Sequence, residues 1–480
     1  MAPRPRARQG KLVKGLGLID ATALVMGSMI GSGIFIVSAD VARLLPSPFL
    51  VMACWLAAGV ITVFAALTYG ELAAAMPQAG GQYVYLRDAY GGLTGFLYGW
   101  TLFLVIQSGT IAAVAVAFAR YLDVFVPLSG TLYLLPLGPG WEASLDGKQL
   151  AGIAAVLLLT LVNTQGIRAG ALVQNLFTAA KVAALLLLVL AAFTLGAGSW
   201  ERFWPPWPEG GLEAVSRSFA ASDMGRHALL TPGADWLGLL LVAGVAMIGP
   251  LFSSDAWNNV TFTGAEVKNP RRNLPLSLFL GTLLTNVIYL AVNAAYFYVL
   301  PLSEAQSTER IAAAAAVRML GEPGNWAISA AIFISTFGCL NGLILSGPRV
   351  YYAMAADGLF FPRMARLNRH GAPAMALAVQ GVWASLLVAS GTYSQLLTYI
   401  ISAALLFYVL TVLSLFVFRR RGEVPGRRNA LHAAVALLYC LAALAIMGAN
   451  LALDPRSSWP GFLIIALGLP AYWAWRRAIK

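Results

Sequence analysis

Two charged side chains stand where a charge is costly. Lys181 lies within Val173-Gln174-Asn175-Leu176-Phe177-Thr178-Ala179-Ala180-Lys181-Val182-Ala183-Ala184. Asp255 lies within Phe252-Ser253-Ser254-Asp255-Ala256-Trp257-Asn258-Asn259-Val260, amid further polar side chains. Each occupies the middle of a long apolar run. A lysine at membrane depth costs on the order of 3 kcal/mol, so such a group faces a cavity or a partner. Lys181 has two readings. It snorkels to the surface, or it stands as an internal cation against the carbonyls of a broken helix, where a sodium ion would otherwise sit. Asp255 also has two. It N-caps the second half of a broken helix, or it touches a substrate.

A third feature is backbone chemistry. Met26-Gly27-Ser28-Met29-Ile30-Gly31-Ser32-Gly33-Ile34-Phe35 places three glycines within seven residues. Each costs roughly 1 kcal/mol relative to alanine in a helix, and backbone groups freed in a bilayer find no water. An unwound stretch is tolerated where its amides and carbonyls are used. The same small residues also suit close helix packing, and both readings stand.

The elements that position these residues follow from composition. The chain has 480 residues, 59% hydrophobic and 11% charged, with mean hydropathy +0.75. A soluble chain carries about 25% charged residues, so this one lacks the polar surface that water requires. Apolar windows between turn and charge signals predict twelve spans. They lie at roughly 17–43, 49–75, 93–122, 149–165, 171–197, 236–265, 274–300, 325–355, 373–390, 394–418, 431–452 and 459–476. Residues 1–14 carry Arg4, Arg6, Arg8, Lys11 and Lys14 with no acid. A long Gly-interrupted run follows, not a short signal core, which predicts a retained first helix with both termini cytoplasmic.

Of the 32 Lys and Arg residues, about two thirds then face inside, including Arg349, Arg419, Arg427, Arg428 and Lys480. Lys181 is the one base this topology places at neither surface. The long loops 123–148 and 198–235 fall outside, the second with Trp200, Trp204 and Trp207 at an interface. The inside stretch 77–92, with Tyr83, Tyr85, Leu86 and Tyr90, predicts a short amphipathic helix lying on the membrane face.

Several chemistries are excluded. Net charge of +12 would suggest nucleic acid in a soluble protein, but here the bases are topology signals. Cys54, Cys339 and Cys440 lie in apolar segments and offer neither a disulfide framework nor a metal site. His227, His370 and His432 are scattered, and no nucleophile–base pair appears, so neither an enzyme nor a cofactor is expected. What remains is two interrupted spans, the first and the sixth, in corresponding positions of two halves. That pattern points to an inverted-repeat carrier, in which half-helix amides face an anion and unwound carbonyls face a cation. A zwitterion matches both, favouring an α-amino acid over a sugar or simple ion.

These residues resemble the amino acid–polyamine–organocation superfamily. Gly27 through Phe35 is similar to its first-helix signature. Tyr69-Gly70-Glu71-Leu72, Pro77, Gly80-Gly81-Gln82-Tyr83-Val84-Tyr85-Leu86 and Tyr90-Gly91 resemble its second-helix and first-loop signature. Val173-Gln174-Asn175 through Lys181 resembles helix 5 of the L-type amino acid transporter branch. Glu266-Val267-Lys268-Asn269-Pro270 with Asn273-Leu274-Pro275 matches the segment after helix 6. The resemblance covers most of residues 15–370.

The resemblance implies an all-α, polytopic, LeuT-type fold with 5+5 inverted repeats and two further helices. The domains are then a tail (1–15), a core (16–418) and a C-terminal pair (419–480). Amides around Ser32 and Gly33 would hold a substrate carboxylate, and carbonyls of Met29, Phe252 and Asp255 its ammonium. Ser28, Ile30 and Ser253 complete the substrate-binding set, Phe252 is the gating aromatic, and Asn258 is a nearby polar group. Lys181 takes the sodium-site position and contacts the Gly27 carbonyl, which implies sodium-independent transport of neutral L-amino acids, by exchange. Ile106, Thr110 and Asn341 are candidates for the selectivity positions.

Asp255 departs from the small residue of the L-type branch, which leaves a proton-coupled carrier of cationic amino acids or polyamines as the alternative. Residues 123–148 hold no cysteine, so no disulfide-linked heavy chain is expected. The stand-alone type implies a bacterial inner membrane.

Overall fold

The computed structural model describes residues 12–128, 130–138, 141–195, 198–390, 393–424 and 430–478. Arg4, Arg6, Arg8, Lys11, Arg427, Arg428 and Lys480, read above as inside-facing, lie outside the described residues.

The apolar runs fold as helices. In order come α1 (Leu18–Met29), a 3-10 turn (Gly33–Phe35), α2 (Val37–Leu44), α3 (Pro48–Ala75), α4 (Gln82–Tyr90) and α5 (Gly92–Thr101). A π turn (Leu102–Ile106) leads into α6 (Gln107–Leu122). After a hairpin of β1 (Thr131–Gly138) and β2 (Trp141–Asp146) come α7 (Gly147–Thr164), α8 (Ile167–Thr194) and α9 (Gly211–Ala221). The middle of the chain is α10 (Trp236–Ala246), α11 (Ile248–Ser253), α12 (Asn259–Phe262) and α13 (Pro270–Val299). Then follow α14 (Leu302–Ser307), α15 (Ile311–Leu320), α16 (Glu322–Ser346), α17 (Pro348–Ala356) and α18 (Ala374–Ala389). The last helices are α19 (Tyr393–Arg421), α20 (Ala430–Leu453) and α21 (Pro455–Ala478).

Local signals set their starts. Ser47 caps α3 ahead of Pro48, Asp146 and Gln149 form a capping box on α7, and Asp235 accepts the Gly238 amide at 2.7 Å. Nine of the described helical segments are long and apolar enough to cross a bilayer, from Pro48–Ala75 to Ala430–Leu453. The chain is a mostly helical, polytopic membrane protein.

Three sequence expectations change. The fold is not wholly helical, because the 123–148 loop holds the antiparallel pair β1–β2, with Leu134 opposite Ser144. The 77–92 helix does not rest its aromatic face on lipid. Tyr83, Tyr85 and Leu86 of α4 are buried in the protein, and only Tyr90 of that set is exposed. Nor is Lys181 the one base away from the surface. Arg349 is 0% exposed and pairs through Nε and Nη2 with both oxygens of Glu266, at 2.8 and 3.1 Å.

That ion pair anchors one end of the bundle. The Glu266 carbonyl accepts the Gly15 and Leu16 amides at 2.9 and 3.0 Å, and the Lys268 amide donates to the Leu16 carbonyl at 2.8 Å. Leu16 and Val267 thus form a parallel bridge that fastens the start of the first span to the end of the sixth. Removing one partner from a buried, bidentate pair strands the other charge, whereas replacing both by apolar groups is often tolerated. Arg349→Leu is therefore expected to lower stability by about 3–5 kcal/mol. Arg349→Leu combined with Glu266→Leu should recover most of that loss. Thermal unfolding of the purified protein in detergent measures both, and equal losses in the single and double variants would contradict a stranded-charge penalty.

Candidate binding site at two broken helices

The first break is short. Helix α1 continues through Gly27 and Ser28 to Met29, and its ladder ends where the Ile30 amide donates to the Met26 carbonyl at 2.9 Å. Residues 30–32 leave the helix, the 3-10 turn follows, and α2 begins at Val37. Gly27 is thus a helical residue and not part of the unwound stretch. A Cβ there would overlap Gln174 and Thr178 of α8, so at Gly27 the packing reading holds.

The carbonyls of the break are occupied. Lys181 is 1% exposed, and its Nζ donates to the carbonyls of Gly27 (2.8 Å), Ile30 (2.7 Å) and Ser335 (3.0 Å). An ammonium has three N–H donors, and all three are used. Lys181 does not snorkel. From α16, Ser335 Oγ lies 3.2 Å from the Ile30 and Gly31 carbonyls, and Cys339 Sγ donates to the Ser28 carbonyl at 3.1 Å. The amides fare differently. Among the described residues, those of Gly31, Ser32, Gly33 and Ile34 donate to no backbone acceptor. A group of amides at a helix break, without acceptors, suits an anion.

The second break runs over residues 254–258, between α11 and α12. Ala256 has φ +64°, a left-handed conformation that costs a non-glycine residue free energy and needs support from its surroundings. The Asp255 carboxylate, 7% exposed, accepts from the Tyr408 hydroxyl at 2.6 Å. It does not cap α12. Asn258 holds the N-cap position and makes no side-chain cap, its Nδ2 donating instead to Gln82 Oε1 at 2.7 Å. Phe252 is half-buried at the end of α11, and its carbonyl accepts the Asp255 amide at 3.1 Å. Ser253 Oγ donates back to the Gly249 carbonyl at 2.9 Å.

The two breaks touch. A Cβ on Gly33 would overlap Ser253 Oγ and come within 2.9 Å of its Cβ. Tyr289 of α13 places its hydroxyl 3.0 Å from the Met29 carbonyl and 2.8 Å from the Ser253 carbonyl. With one hydrogen to give, it serves one carbonyl at a time and holds both within reach. Neither Tyr289 nor Tyr408 stands out in the sequence, where a tyrosine inside an apolar helix reads as core.

Beside the second break is a small cavity of about 10 Å³, room for about one water molecule. Its walls are Tyr98, Leu102, Ile106, Gln107 and Thr110 on one side and Asp255, Ala256, Asn258 and Asn259 on the other. Leu343, Ala404 and Tyr408 also contribute. Ile106 and Thr110 face it as expected, but Asn341 does not. Asn341 donates to the Gly170 carbonyl and Gln174 Oε1 and accepts from Asn163, and it is not among the walls. Ser28, Met29, Ile30, Ser32 and Gly33 are buried at the first break and are not among the walls either.

An amino acid permease family model matches residues 16–469. The chain belongs to that family, within the amino acid–polyamine–organocation superfamily. It is 29% identical over 473 residues to the serine/threonine exchanger SteT of Bacillus subtilis (strain 168), covering 97% of this chain and 98% of that one. It is 28% identical over 409 residues to the human b(0,+)-type amino acid transporter 1, covering 85% and 76%. It is likewise 28% identical over 475 residues to the mouse Asc-type amino acid transporter 1, covering 98% and 83%. In this permease the contact of Gly33 with Ser253 generates a test. Gly33→Ala should hold the breaks apart and abolish amino acid uptake into vesicles, and Ser253→Gly in the same chain should restore part of it. Full uptake by the single variant would show that the contact is dispensable.

Proposed function

We propose that the chain carries neutral L-amino acids across the bacterial inner membrane by alternating access, without sodium and by exchange. The reading takes twelve spans, with α1–α2 and α10–α12 as the broken first and sixth of two inverted repeats. Residues 16–418 form the core, 419–480 the final pair of helices, and both termini face the cytoplasm. Family membership, the exchanger among its relatives and the Lys181 geometry support it.

In this reading the substrate carboxylate takes the amides around Ser32 and Gly33, with Ser28 and Ile30 beside them. Its ammonium takes carbonyls of Met29, Phe252 and Asp255, with Ser253 and Asn258 close by and Phe252 as the gating aromatic. The orphan amides of the first break support the carboxylate assignment. Lys181 stands where a sodium ion would otherwise be required, its three N–H groups meeting three carbonyls. The single observation that carries the reading is this fixed internal cation on the carbonyls of the first break. No disulfide-linked heavy chain is needed.

One observation favours a second reading, a proton-coupled carrier of cationic amino acids or polyamines. The Asp255 carboxylate borders the cavity and has no Lys or Arg partner among the described residues. A cationic substrate side chain would provide one.

Purified protein in liposomes is expected to take up or exchange labelled amino acids equally well with and without a sodium gradient. Lys181→Ala should cut turnover at least tenfold at near-normal abundance, about what one charge-assisted hydrogen bond commands. Uptake that requires sodium would remove Lys181 from this role. Competition by the twenty amino acids and putrescine separates the two readings, since arginine and putrescine compete only under the second.

A further inference from the structure

Four residues of the third span line the cavity at intervals of four: Tyr98, Leu102, Ile106 and Thr110. A straight α-helix cannot present that series on one side. Successive residues turn by about 100°, so each step of four overshoots a full turn by about 40° and three steps drift by roughly 120°. The π turn at Leu102–Ile106 removes the drift. Its Gln107 amide reaches back five residues to the Leu102 carbonyl. The one extra residue sets the following helix back by roughly 100°. All four side chains therefore stay on the cavity side.

Such a turn needs to be held. Trp383 of α18 donates its indole Nε1–H to the Leu104 carbonyl, inside the π turn, at 3.0 Å. Phe103, also in the turn, stacks on the Trp383 ring (6.4 Å between centroids, 22° between planes). On its other sides Phe103 meets Tyr351 and Phe360 edge-on, at 5.2 and 5.6 Å. Beyond the turn, Gln107 Nε2 donates to the Leu343 carbonyl at 2.8 Å and fixes the start of α6. Trp383 itself is not among the cavity walls.

We propose that Trp383 is a positioning residue for substrate selectivity, acting at a distance by pinning the π turn that aims Leu102, Ile106 and Thr110 into the cavity. The proposal rests on the transport reading above and adds to it the element that shapes the pocket for the substrate side chain. Loss of the pin lets the turn relax toward α-helical geometry, which rotates Ile106 and Thr110 away from the cavity. Selectivity between small and bulky side chains then changes, while the carboxylate and ammonium contacts at the breaks are untouched.

Trp383→Phe keeps an aromatic ring and removes only the N–H donor. The measurement is the ratio of half-inhibitory concentrations of alanine and phenylalanine against one labelled amino acid, in proteoliposomes. A single hydrogen bond of about 1 kcal/mol sets the expected change in that ratio at about fivefold. Phe103→Leu, which unseats the other side of the turn, should move the ratio in the same direction. A merely structural tryptophan would lower uptake of both amino acids alike and leave the ratio where it was. An unchanged ratio in both variants, with uptake persisting, overturns the proposal and leaves the transport reading intact. Failure of every amino acid to enter with the unaltered protein overturns both.

Discussion

Three carbonyl oxygens on one ammonium, Gly27, Ile30 and Ser335 on Lys181, are the contact on which the site is built. A bilayer supplies no water to a broken helix, so each freed backbone group needs a protein partner or a ligand. The cation answers that need for the end of α1 and for α16 at once. It also fixes α8 against both. Gly27 makes this possible, because any larger residue there would push α8 away and take Lys181 with it. A buried lysine without such partners would be costly. With them, it is a structural strut that ties α8 to the end of α1 and to α16.

The break is satisfied on one side only. Its carbonyls are taken by Lys181, Ser335 and Cys339, whereas the amides of residues 31–34 lack backbone acceptors among the described residues. That imbalance gives the stretch a net appetite for negative charge. At the second break the charges run the other way, since Asp255 brings a carboxylate, and the Ser253 carbonyl there meets the Met29 carbonyl of the first break at the Tyr289 hydroxyl. Opposite preferences side by side are what a zwitterion requires. Tyr289, edge-on against Trp55 at 5.4 Å, keeps them side by side.

Much of this arrangement is legible in the sequence. Apolar runs mark the helices to within a few residues, and nine of the described segments reach spanning length, because a bilayer leaves little freedom in helix length. Both breaks are visible too, since clustered glycines and mid-span polar residues are costly in a continuous helix surrounded by lipid. What a sequence does not display is tertiary pairing. Tyr289, Tyr408 and Trp383 look like ordinary apolar-helix aromatics until their polar atoms meet partners far away in the chain. Arg349 reads as a topology charge because it lies near the inside end of the 325–355 span, but its partner Glu266 is 83 residues earlier. The π turn leaves no composition signal at all, since Leu-Phe-Leu-Val-Ile suits any buried helix. The aromatic face of α4 differs from expectation for a related reason: amphipathicity shows that a face is covered, not whether lipid or protein covers it.

The two ends of the bundle are closed by different physics, and this bears on how a carrier of this kind would open. At one end Arg43 of α2 donates to the carbonyls of Gln306 and Thr308, while Gln306 Nε2 donates to the Ala42 carbonyl. These contacts are partly exposed, so water can replace each bond as it breaks, and the net cost of parting them is small. At the other end the Arg349–Glu266 pair is dry. It can part only if water reaches both charges as they separate, because an unpaired buried charge is prohibitive. The Leu16–Val267 bridge joins the first and sixth spans there, so moving one alone would break its backbone hydrogen bonds. In the proposed carrier, an opening at that end would have to carry both broken spans together and admit water to both charges.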